Sequence, residues 1–315
     1  MVMRTRFVIS SGNSMSSING HRSVLLHEVV ENLCIHADDT VVDATLGGAG
    51  HARALAEKLG KNGVFIGFDL DNGAIERTKK ALQDLRGLTV HLVNANFRDL
   101  SAELEKLNIA KIDKAVFDLG WSGYQLEAGR GFSFLKDEPL SMTYSTSVGS
   151  NTLTASTIVN EWKEESIADV IFGWGEERYS RRIAKKIVEA RAKSPIRTSL
   201  ELAEIIRGAV PPAYRRGRIH PATRTFQALR IAVNDELGAL KEGLNSAWKL
   251  LAKGGRIAVI SFHSIEDREV KNQFLFWEKS GEGNRVTHSP IRAGRAELLE
   301  NPRARSAKLR VIEKS

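Results

Sequence analysis

The sequence predicts an α/β fold in which a doubly wound, mostly parallel sheet carries an inserted all-helical domain. Two patterns lead to this prediction. Short apolar runs alternate with helical patterns up to residue 120, and a strand pattern returns only near residue 255, with helical segments between. Near-continuous apolar strands joined by helices form a parallel sheet covered on both faces, and right-handed crossovers then wind the chain in both directions.

The first part of the chain supplies four strands. An amphipathic helix is predicted over residues 21–35, because apolar residues recur there at helical spacing. The predicted strands that follow lie at residues 40–44, 63–69, 89–95 and 114–120. Ligands of such sheets bind beyond the carboxyl ends of the strands, so we expect functional residues at those ends.

The pattern after residue 120 predicts a helical insert. Helical stretches lie near residues 161–172, 177–192 and 199–209, followed by a long helix over about 222–252 and strands at 255–263 and 306–313. We therefore divide the chain into a disordered tail at residues 1–20, a discontinuous sheet domain at 21–125 and 223–315, and an insert at 126–222.

Composition excludes several classes of protein. Apolar residues make up 42% of the 315-residue chain and charged residues 27%, which excludes a disordered or coiled-coil chain. No apolar run approaches the ~20 residues that cross a bilayer. The one cysteine, Cys34, excludes an internal disulfide and a multi-cysteine zinc site. We expect a globular cytoplasmic protein without a membrane span, and the histidine spacing predicts no catalytic metal.

Basic residues are concentrated late in the chain. The formal net charge is +8, and residues 178–218 hold 12 basic against 3 acidic residues, while residues 285–310 hold 7 against 2. Clustered cations bind a polyanion by releasing its counterions, so these stretches favour a nucleic-acid partner. A solvated helix face is the alternative for the first stretch.

The ends of the first two predicted strands carry the first site candidates. A glycine-containing loop with Gly47, Gly48 and Gly50 follows Asp43 and precedes a helix, which lets a ligand approach the backbone closely. Asp69 ends the second strand, where an acid typically accepts hydrogen bonds from a ribose. Both features fit NAD and S-adenosylmethionine equally.

Other features of the strand ends distinguish between these two cofactors. Asp43 can hold an ammonium group, and the glycines come later than in the compact dinucleotide turn, which favours a cationic amino-acid moiety. Phe97 packs either on an adenine or in the core. Asp118 closes an apolar strand, where a carboxylate needs water or a ligand.

Several long blocks resemble one protein family, the RsmH (MraW) type small-subunit ribosomal RNA cytosine-N4 methyltransferases. They include H-R-S-V-L-L-H-E at 21–28, T-L-G-G-A-G-H at 45–51, R-G-F-S-F at 130–134, W-G-E-E-R at 174–178, H-P-A-T-R-T-F-Q-A-L-R-I-A-V-N-D-E-L at 220–237, I-S-F-H-S-I-E-D-R at 260–268 and N-P-R-A-R-S-A-K-L-R at 301–310. The blocks follow one order from about residue 21 to the C-terminus.

The resemblance implies a Rossmann-like methyltransferase with a seven-stranded sheet and S-adenosylmethionine as methyl donor. The family's cofactor contacts fall on Ala49, Gly50, His51, Asp69, Phe97, Asp118 and Gln125. The implied substrate is a P-site cytidine of 16S rRNA in the small ribosomal subunit, methylated on its exocyclic amine. The inserted helical domain is then expected to face the RNA.

The chain departs from the family pattern at three places. Ala49 stands where the family usually has a third glycine, residues 121–125 replace a serine-serine-proline loop, and residues 139–145 lack two usual aspartates. We expect the two loops to wall the substrate pocket, with Trp121 and Tyr124 either stacking on a base or packing on the insert.

We hypothesise that Asp118 accepts a hydrogen bond from the target amine and aligns it with the methyl group. Ser264 and Asp267 resemble a helix N-cap and its partner, and Arg224 either meets RNA phosphate or caps an acid. A methyltransferase for another rRNA base, a silent RNA-binding or assembly protein and a dinucleotide-dependent oxidoreductase are the alternative functions.

Overall fold

A computed structural model describes residues 22–120, 129–144 and 152–315 of the chain. Its strands are β1 (Thr40–Asp43), β2 (Val64–Phe68), β3 (Thr89–Val93), β4 (Ile112–Asp118), β5 (Leu251–Ser261), β6 (Gly283–Arg285) and β7 (Lys308–Lys314). They form one sheet in the order β3-β2-β1-β4-β5-β7-β6. Strand β7 runs antiparallel to β5 and β6, whereas the other pairs are parallel. The prediction of a mostly parallel, seven-stranded α/β sheet is confirmed.

Helices surround this sheet and fill the region between β4 and β5. In chain order they are α1 (Leu26–Leu33), α2 (Gly50–Ala56), α3 (Asn72–Leu82), α4 (Leu100–Lys106), α5 (Ala155–Glu161), α6 (Glu164–Gly175), α7 (Ser180–Arg191), α8 (Ser199–Ala209), α9 (Pro212–Arg215), α10 (Thr223–Asn234), α11 (Glu236–Leu250), α12 (Ser264–Lys279) and α13 (Arg295–Glu300). Short 3₁₀ turns also lie at Phe97–Asp99 and Pro302–Ser306.

Both faces of the sheet are buried. Side chains alternate along a strand, so Val41 packs against α1, α2 and α3, while Val42 packs on the opposite face against α4, α11 and α12. Val116 and Phe117 divide between the same two faces. This two-sided burial explains why the strands appear in the sequence as continuous apolar runs.

The helices between β4 and β5 have a hydrophobic core of their own. Buried side chains of α5 to α8 meet Phe132, Leu140 and Met142, and α10 adds Phe226 and Leu229 to the same cluster. Helix α10 therefore packs within the helical layer, and its C-terminal end leads directly to α11 on the sheet.

Several predicted helices have different bounds in the structure. The long helix predicted over residues 222–252 is two helices, because Asp235 adopts a left-handed conformation with φ of 46° between them. The stretch predicted at 161–172 contains the end of α5 and most of α6, and the first helix is limited to Leu26–Leu33. Within the three described ranges, no helix combines the length and the apolar character that crossing a membrane requires.

Candidate active site

A cavity of about 460 Å³ opens at the carboxyl ends of β2, β1 and β4. One half is formed by the loops that follow these strands, with Thr45–Gly48, Asp69, Ala95–Phe97 and Asp118 in its wall. The other half reaches toward the helical layer and the start of α12. The cavity thus lies where the doubly wound sheet was predicted to hold a ligand.

Two carboxylates lie at the base of the first half: Asp118 is in the cavity wall, and the fully buried Asp43 precedes the wall residue Ala44. Asp43 accepts a hydrogen bond from the amide of Thr45 at 3.0 Å, but its Oδ2 has no partner among the described residues. Asp118 likewise has a buried Oδ1 without a partner there. Removing a carboxylate from water without a compensating partner is costly, so both groups are suited to a cation or a hydrogen-bond donor from a ligand.

Burial governs the titration of both groups. It raises the pKa of Asp43 to about 7, and the nearby charge of Asp69 adds to the effect. Burial also raises the pKa of Asp118 to about 8, followed by the charge of Asp43. Two carboxylates in one desolvated site resist ionising together, so the site holds protons near neutral pH in the absence of a cation.

Asp69 is held by the backbone of the two loops beside it. Its carboxylate accepts hydrogen bonds from the amides of Gly47 at 2.9 Å and Asp71 at 2.8 Å. Burial raises the pKa of Asp69, although the two amides act in the opposite direction. The fixed carboxylate at the end of β2 has lone pairs left for a hydroxyl donor.

The loop that begins helix α2 places His51 in the cavity wall and Ala49 behind it. His51 lies with Nδ1 3.5 Å from Oδ2 of Asp118. Ala49 is buried with φ of 67°, and its methyl group packs in the core rather than in the cavity wall. A Cβ on Gly50 would lie 2.0 Å from Oγ of Ser23, so glycine is needed there for the approach of the N-terminal segment.

Phe97 packs in the core and also reaches the cavity, so the predicted stacking on an adenine stays a prediction. Its ring packs edge-on against Phe117 with centroids 5.6 Å apart, and it also contributes to the cavity wall. Gln125, Trp121 and Tyr124 lie outside the described residues. Of the seven predicted cofactor contacts, the cavity wall therefore includes His51, Asp69, Phe97 and Asp118.

A polar network that sequence reasoning missed lines the second half. Arg230 donates to both oxygens of Glu236 at 2.7 and 2.9 Å, and the hydroxyl of Tyr144 donates to Glu236 at 2.9 Å. Asn234 joins the network by accepting from the amide of Tyr144 at 2.8 Å. Tyr144 is distant in sequence from the other three residues, and the chain adopts a left-handed conformation at Asp235 between Arg230 and Glu236, so no local spacing predicts the network.

The N-cap predicted at Ser264 is wrong by one residue. His263 is the N-cap of α12, and its Nδ1 accepts from the amide of Glu266 at 3.3 Å. The hydroxyl of Ser264 donates to Glu176. Asp267 accepts from Lys308 and Arg310 at 2.7 Å each, so it joins β7 to α12.

Glu236, His263 and Glu266 lie close enough to suggest a cation site, with their ligand atoms within 4.8 Å of one another. Arg230 already occupies both oxygens of Glu236, however, so the trio lacks a free third ligand. Arg224 donates to the backbone carbonyl of Glu176 at 2.5 Å, and His220 stacks on Phe134.

Comparison with known proteins identifies the family. The model of the MraW methylase family matches residues 19–315. The chain belongs to the MraW methylase family. The cofactor of this methylase is S-adenosylmethionine. The cavity fits it, because Asp118 in the wall and Asp43 buried beside it each have a carboxylate oxygen without a partner among the described residues, which suits positive charge.

Curated relatives agree with this assignment. The chain is 43% identical to ribosomal RNA small subunit methyltransferase H of Clostridioides difficile, over 93% of this chain and 98% of that protein. It is 48% identical to the protein of the same name from Deinococcus radiodurans, over 94% of this chain and 90% of that protein. A solved rRNA methylase from Streptococcus thermophilus matches 92% of this MraW methylase and 93% of its own chain, at 13% identity and a TM-score of 0.42.

Proposed function

We propose that this protein transfers a methyl group from S-adenosylmethionine to the N4 amine of a P-site cytidine in 16S rRNA of the small ribosomal subunit. The relatives named above as small-subunit rRNA methyltransferases support the class of substrate. The family resemblance supports the base, the atom and the P-site position. The reaction belongs in the cytoplasm, where small subunits occur.

The observation that carries the proposal is two carboxylate oxygens without a partner among the described residues, one on Asp118 in the cavity wall and one on Asp43, which is buried beside it. S-adenosylmethionine presents a sulfonium and an ammonium cation, and these compensate Asp43 and Asp118 where no described lysine or arginine hydrogen-bonds to either carboxylate. A dinucleotide would bring an anionic pyrophosphate toward the same carboxylates. Charge therefore favours the sulfonium cofactor over NAD.

The remaining parts of the cavity suit the rest of the cofactor. Asp69, at the end of β2, is placed to accept hydrogen bonds from ribose hydroxyls. The ring of Phe97 offers an apolar surface for the adenine. We assign His51, Ala49 and Gly50 to the loop that shapes this half.

The bound cofactor supplies an electrophilic methyl group whose sulfur leaves with the bonding electron pair. The amine of cytosine is a weak nucleophile, because its lone pair is delocalised into the ring. As the nitrogen forms its bond to the methyl carbon, it must lose one proton. We assign two roles to Asp118: it orients the amine and accepts this proton. Burial raises the pKa of Asp118, and the positive charge of a bound S-adenosylmethionine would act against burial and favour the ionised carboxylate.

An exposed patch on the helical layer is suited to the RNA. The Arg178 guanidinium lies over the rings of Tyr179 and Tyr214, at 4.9 and 5.0 Å from their centroids, and Arg182 lies 5.8 Å from that of Tyr179. Arginine and aromatic side chains together bind phosphates and stack on bases. We therefore assign RNA docking to the insert at residues 126–222, with Arg303 and Arg305 as further backbone contacts.

Mass mapping of 16S rRNA tests the proposal. Small subunits are isolated from cells that lack the gene and incubated with the purified protein and S-adenosylmethionine. We expect one N4-methylcytidine, absent before incubation, at the P site. A methyl group on another base would establish the alternative rRNA target, and binding to the subunit without any transfer would establish the assembly role.

The role of Asp118 has its own test. We expect Asp118→Asn to lower the single-turnover rate about a hundredfold or more, the scale of a positioned proton acceptor. Asp43→Asn, which alters the cofactor site alone, is the matched control and should act mainly through cofactor affinity. Full turnover of Asp118→Asn with normal cofactor affinity would exclude the assigned role.

A further inference from the structure

The second half of the cavity offers a hydrogen-bonding edge that the cofactor does not use. His263 and Glu266, at the start of α12, both lie in the cavity wall. The aromatic rings of Phe132, Phe134 and Phe226 lie in the same half. Planar apolar walls beside a short polar edge are the features that hold a nucleobase removed from its stack.

The helix cap determines which nitrogen of His263 carries the proton. Nδ1 accepts the amide hydrogen of Glu266 at 3.3 Å, so the hydrogen of the neutral ring is on Nε2. Nε2 is buried and lies 3.1 Å from Oε1 of Glu266, an interaction that lowers the pKa of Glu266, yet its N–H is not well aligned for a hydrogen bond with any described group. Nε2 therefore has a hydrogen to donate to a ligand.

Glu266 supplies an acceptor beside this donor. Its Oε2 accepts the amide hydrogen of Phe262 at 2.9 Å, which leaves Oε1 next to Nε2 of His263. Burial acts to raise the pKa of Glu266, but His263, Arg230 and the Phe262 amide outweigh it and hold the pKa below its usual value. Glu266 is thus a carboxylate and accepts hydrogen bonds only.

We propose that His263 and Glu266 select an amino base by its Watson–Crick edge, with Nε2–H donating to the ring nitrogen and Oε1 accepting from the exocyclic amine. Cytosine presents the complementary groups side by side: N4–H is the donor and N3 is the acceptor. Uracil and guanine present the reverse order, a carbonyl beside an N–H, and would place like groups opposite each other. The inference rests on the proposed function, for which it names the residues that choose the base.

Neighbouring residues hold this edge in place. Glu236 is occupied by Arg230 and Tyr144, so it does not compete for the amine. The hydrogen bond from the amide of Phe262 holds the carboxylate of Glu266 in place, and the N-cap hydrogen bond from the amide of Glu266 holds the ring of His263. An edge with both partners fixed rejects a mismatched base strongly, because the mismatch leaves buried polar groups unpaired.

Kinetics of two variants test the inference. His263→Asn retains an N-cap side chain and removes Nε2–H, whereas Glu266→Gln retains the shape and removes the charge. On unmethylated small subunits we expect each to lower the single-turnover rate roughly 10- to 100-fold, the effect of one lost hydrogen bond among buried groups. S-adenosylmethionine affinity and the melting temperature should change little. The single-turnover rate of the double variant should fall by less than the product of the two single-variant factors, because both residues hold the same base.

Ser264→Ala is the matched control, because Ser264 lies in the same helix turn but bonds to Glu176 outside the cavity. It should retain the wild-type rate. Wild-type rates in both His263→Asn and Glu266→Gln would overturn the inference, and so would losses fully explained by weaker cofactor binding or unfolding.

Ligand-observed NMR separates this inference from the proposed function, because it needs no turnover. Cytidine and uridine monophosphates are compared at millimolar concentration with the protein saturated with S-adenosylhomocysteine. We expect contact signals from the cytidine nucleotide that exceed those from the uridine nucleotide and disappear in His263→Asn. Equal signals, or none from either nucleotide, would overturn the base-reading edge. Methylation of an adenine amine would overturn the cytosine assignment alone, since adenine presents the same order of groups.

Discussion

The Nδ1 atom of His51 lies 3.5 Å from Oδ2 of Asp118, so the imidazole faces this carboxylate. The other ring nitrogen, Nε2, lies 3.0 Å from the carbonyl oxygen of Val24, which can only accept, so Nε2 carries a hydrogen. A neutral His51 would then turn a lone pair toward a carboxylate oxygen. A charged His51 would instead pair with Asp118, and a cationic ligand beside Asp118 would compete with this pair.

Cofactor binding should therefore release protons. With the pKa of Asp43 at about 7 and that of Asp118 at about 8, the site without cofactor is partly protonated near pH 7. Positive charge favours the carboxylates, so S-adenosylmethionine affinity should rise with pH until it levels above about pH 8. Calorimetry in buffers of different ionisation enthalpy measures the released protons. S-adenosylhomocysteine, without the sulfonium charge, should release fewer, and affinity independent of pH would contradict the assignment.

The same carboxylates should weaken the fold without cofactor at alkaline pH. The pKa of Asp43 is raised in the folded state, so its stability contribution is complete below the unfolded pKa near 4 and is lost as pH rises through about 7. Asp43→Asn removes this loss and should increase the free energy of unfolding at pH 8.5, by at most about 4 kcal/mol. Denaturant unfolding at pH 5 and pH 8.5 checks this. A gain of equal size at both pH values would show that titration is not the cause.

The strand ends were predictable and the second half of the cavity was not. Asp43, Asp69 and Asp118 each end an apolar run, and parallel topology brings such ends to one edge of the sheet. Strand β6 was missed, because its three residues, Gly283–Arg285, contain no β-branched or aromatic residue.

The break at Asp235 shows why Glu236 was also missed. Apolar residues continue at helical spacing through this position, so the pattern predicts one helix. Asp235 tolerates a left-handed conformation and pairs with Arg98 at 2.6 Å, a contact that only tertiary structure reveals. In a continuous helix, residues six apart lie about 240° apart around the axis, so the break is what allows Arg230 to meet Glu236.

Arg230 and Glu236 should stabilise the fold only as a pair. Both are nearly buried, so Arg230→Met leaves an uncompensated carboxylate and should cost about 3–5 kcal/mol of unfolding free energy. Adding Glu236→Gln to Arg230→Met should recover part of that loss. A double-mutant cycle by denaturant unfolding measures the coupling, and strict additivity would show that the two charges do not interact.

The Arg178 patch should account for part of the salt dependence of subunit binding. Arg178→Gln should weaken binding to small subunits and lower the slope of log affinity against log salt by roughly one, the effect of one lost phosphate contact. Cofactor affinity should stay the same. Arg207→Gln is the control, because Arg207 pairs with Glu204 on the same helical layer. An equal change of slope in both variants would mean that the patch has no special part in docking.

Gly243 should be essential to cofactor binding although it lies outside the cavity wall. Replacing a glycine inside a helix by alanine usually stabilises the protein by up to about 1 kcal/mol. Here a Cβ would lie 2.6 Å from the ring of Phe97, which packs against α11 on one side and faces the cavity on the other. Gly243→Ala should therefore displace Phe97 and lower S-adenosylmethionine affinity, which calorimetry measures. Gly173→Ala, also inside a helix but with open space for a Cβ, is the matched control. Because the adenine is assigned to the face of Phe97, unchanged affinity in Gly243→Ala would separate that ring from the cofactor.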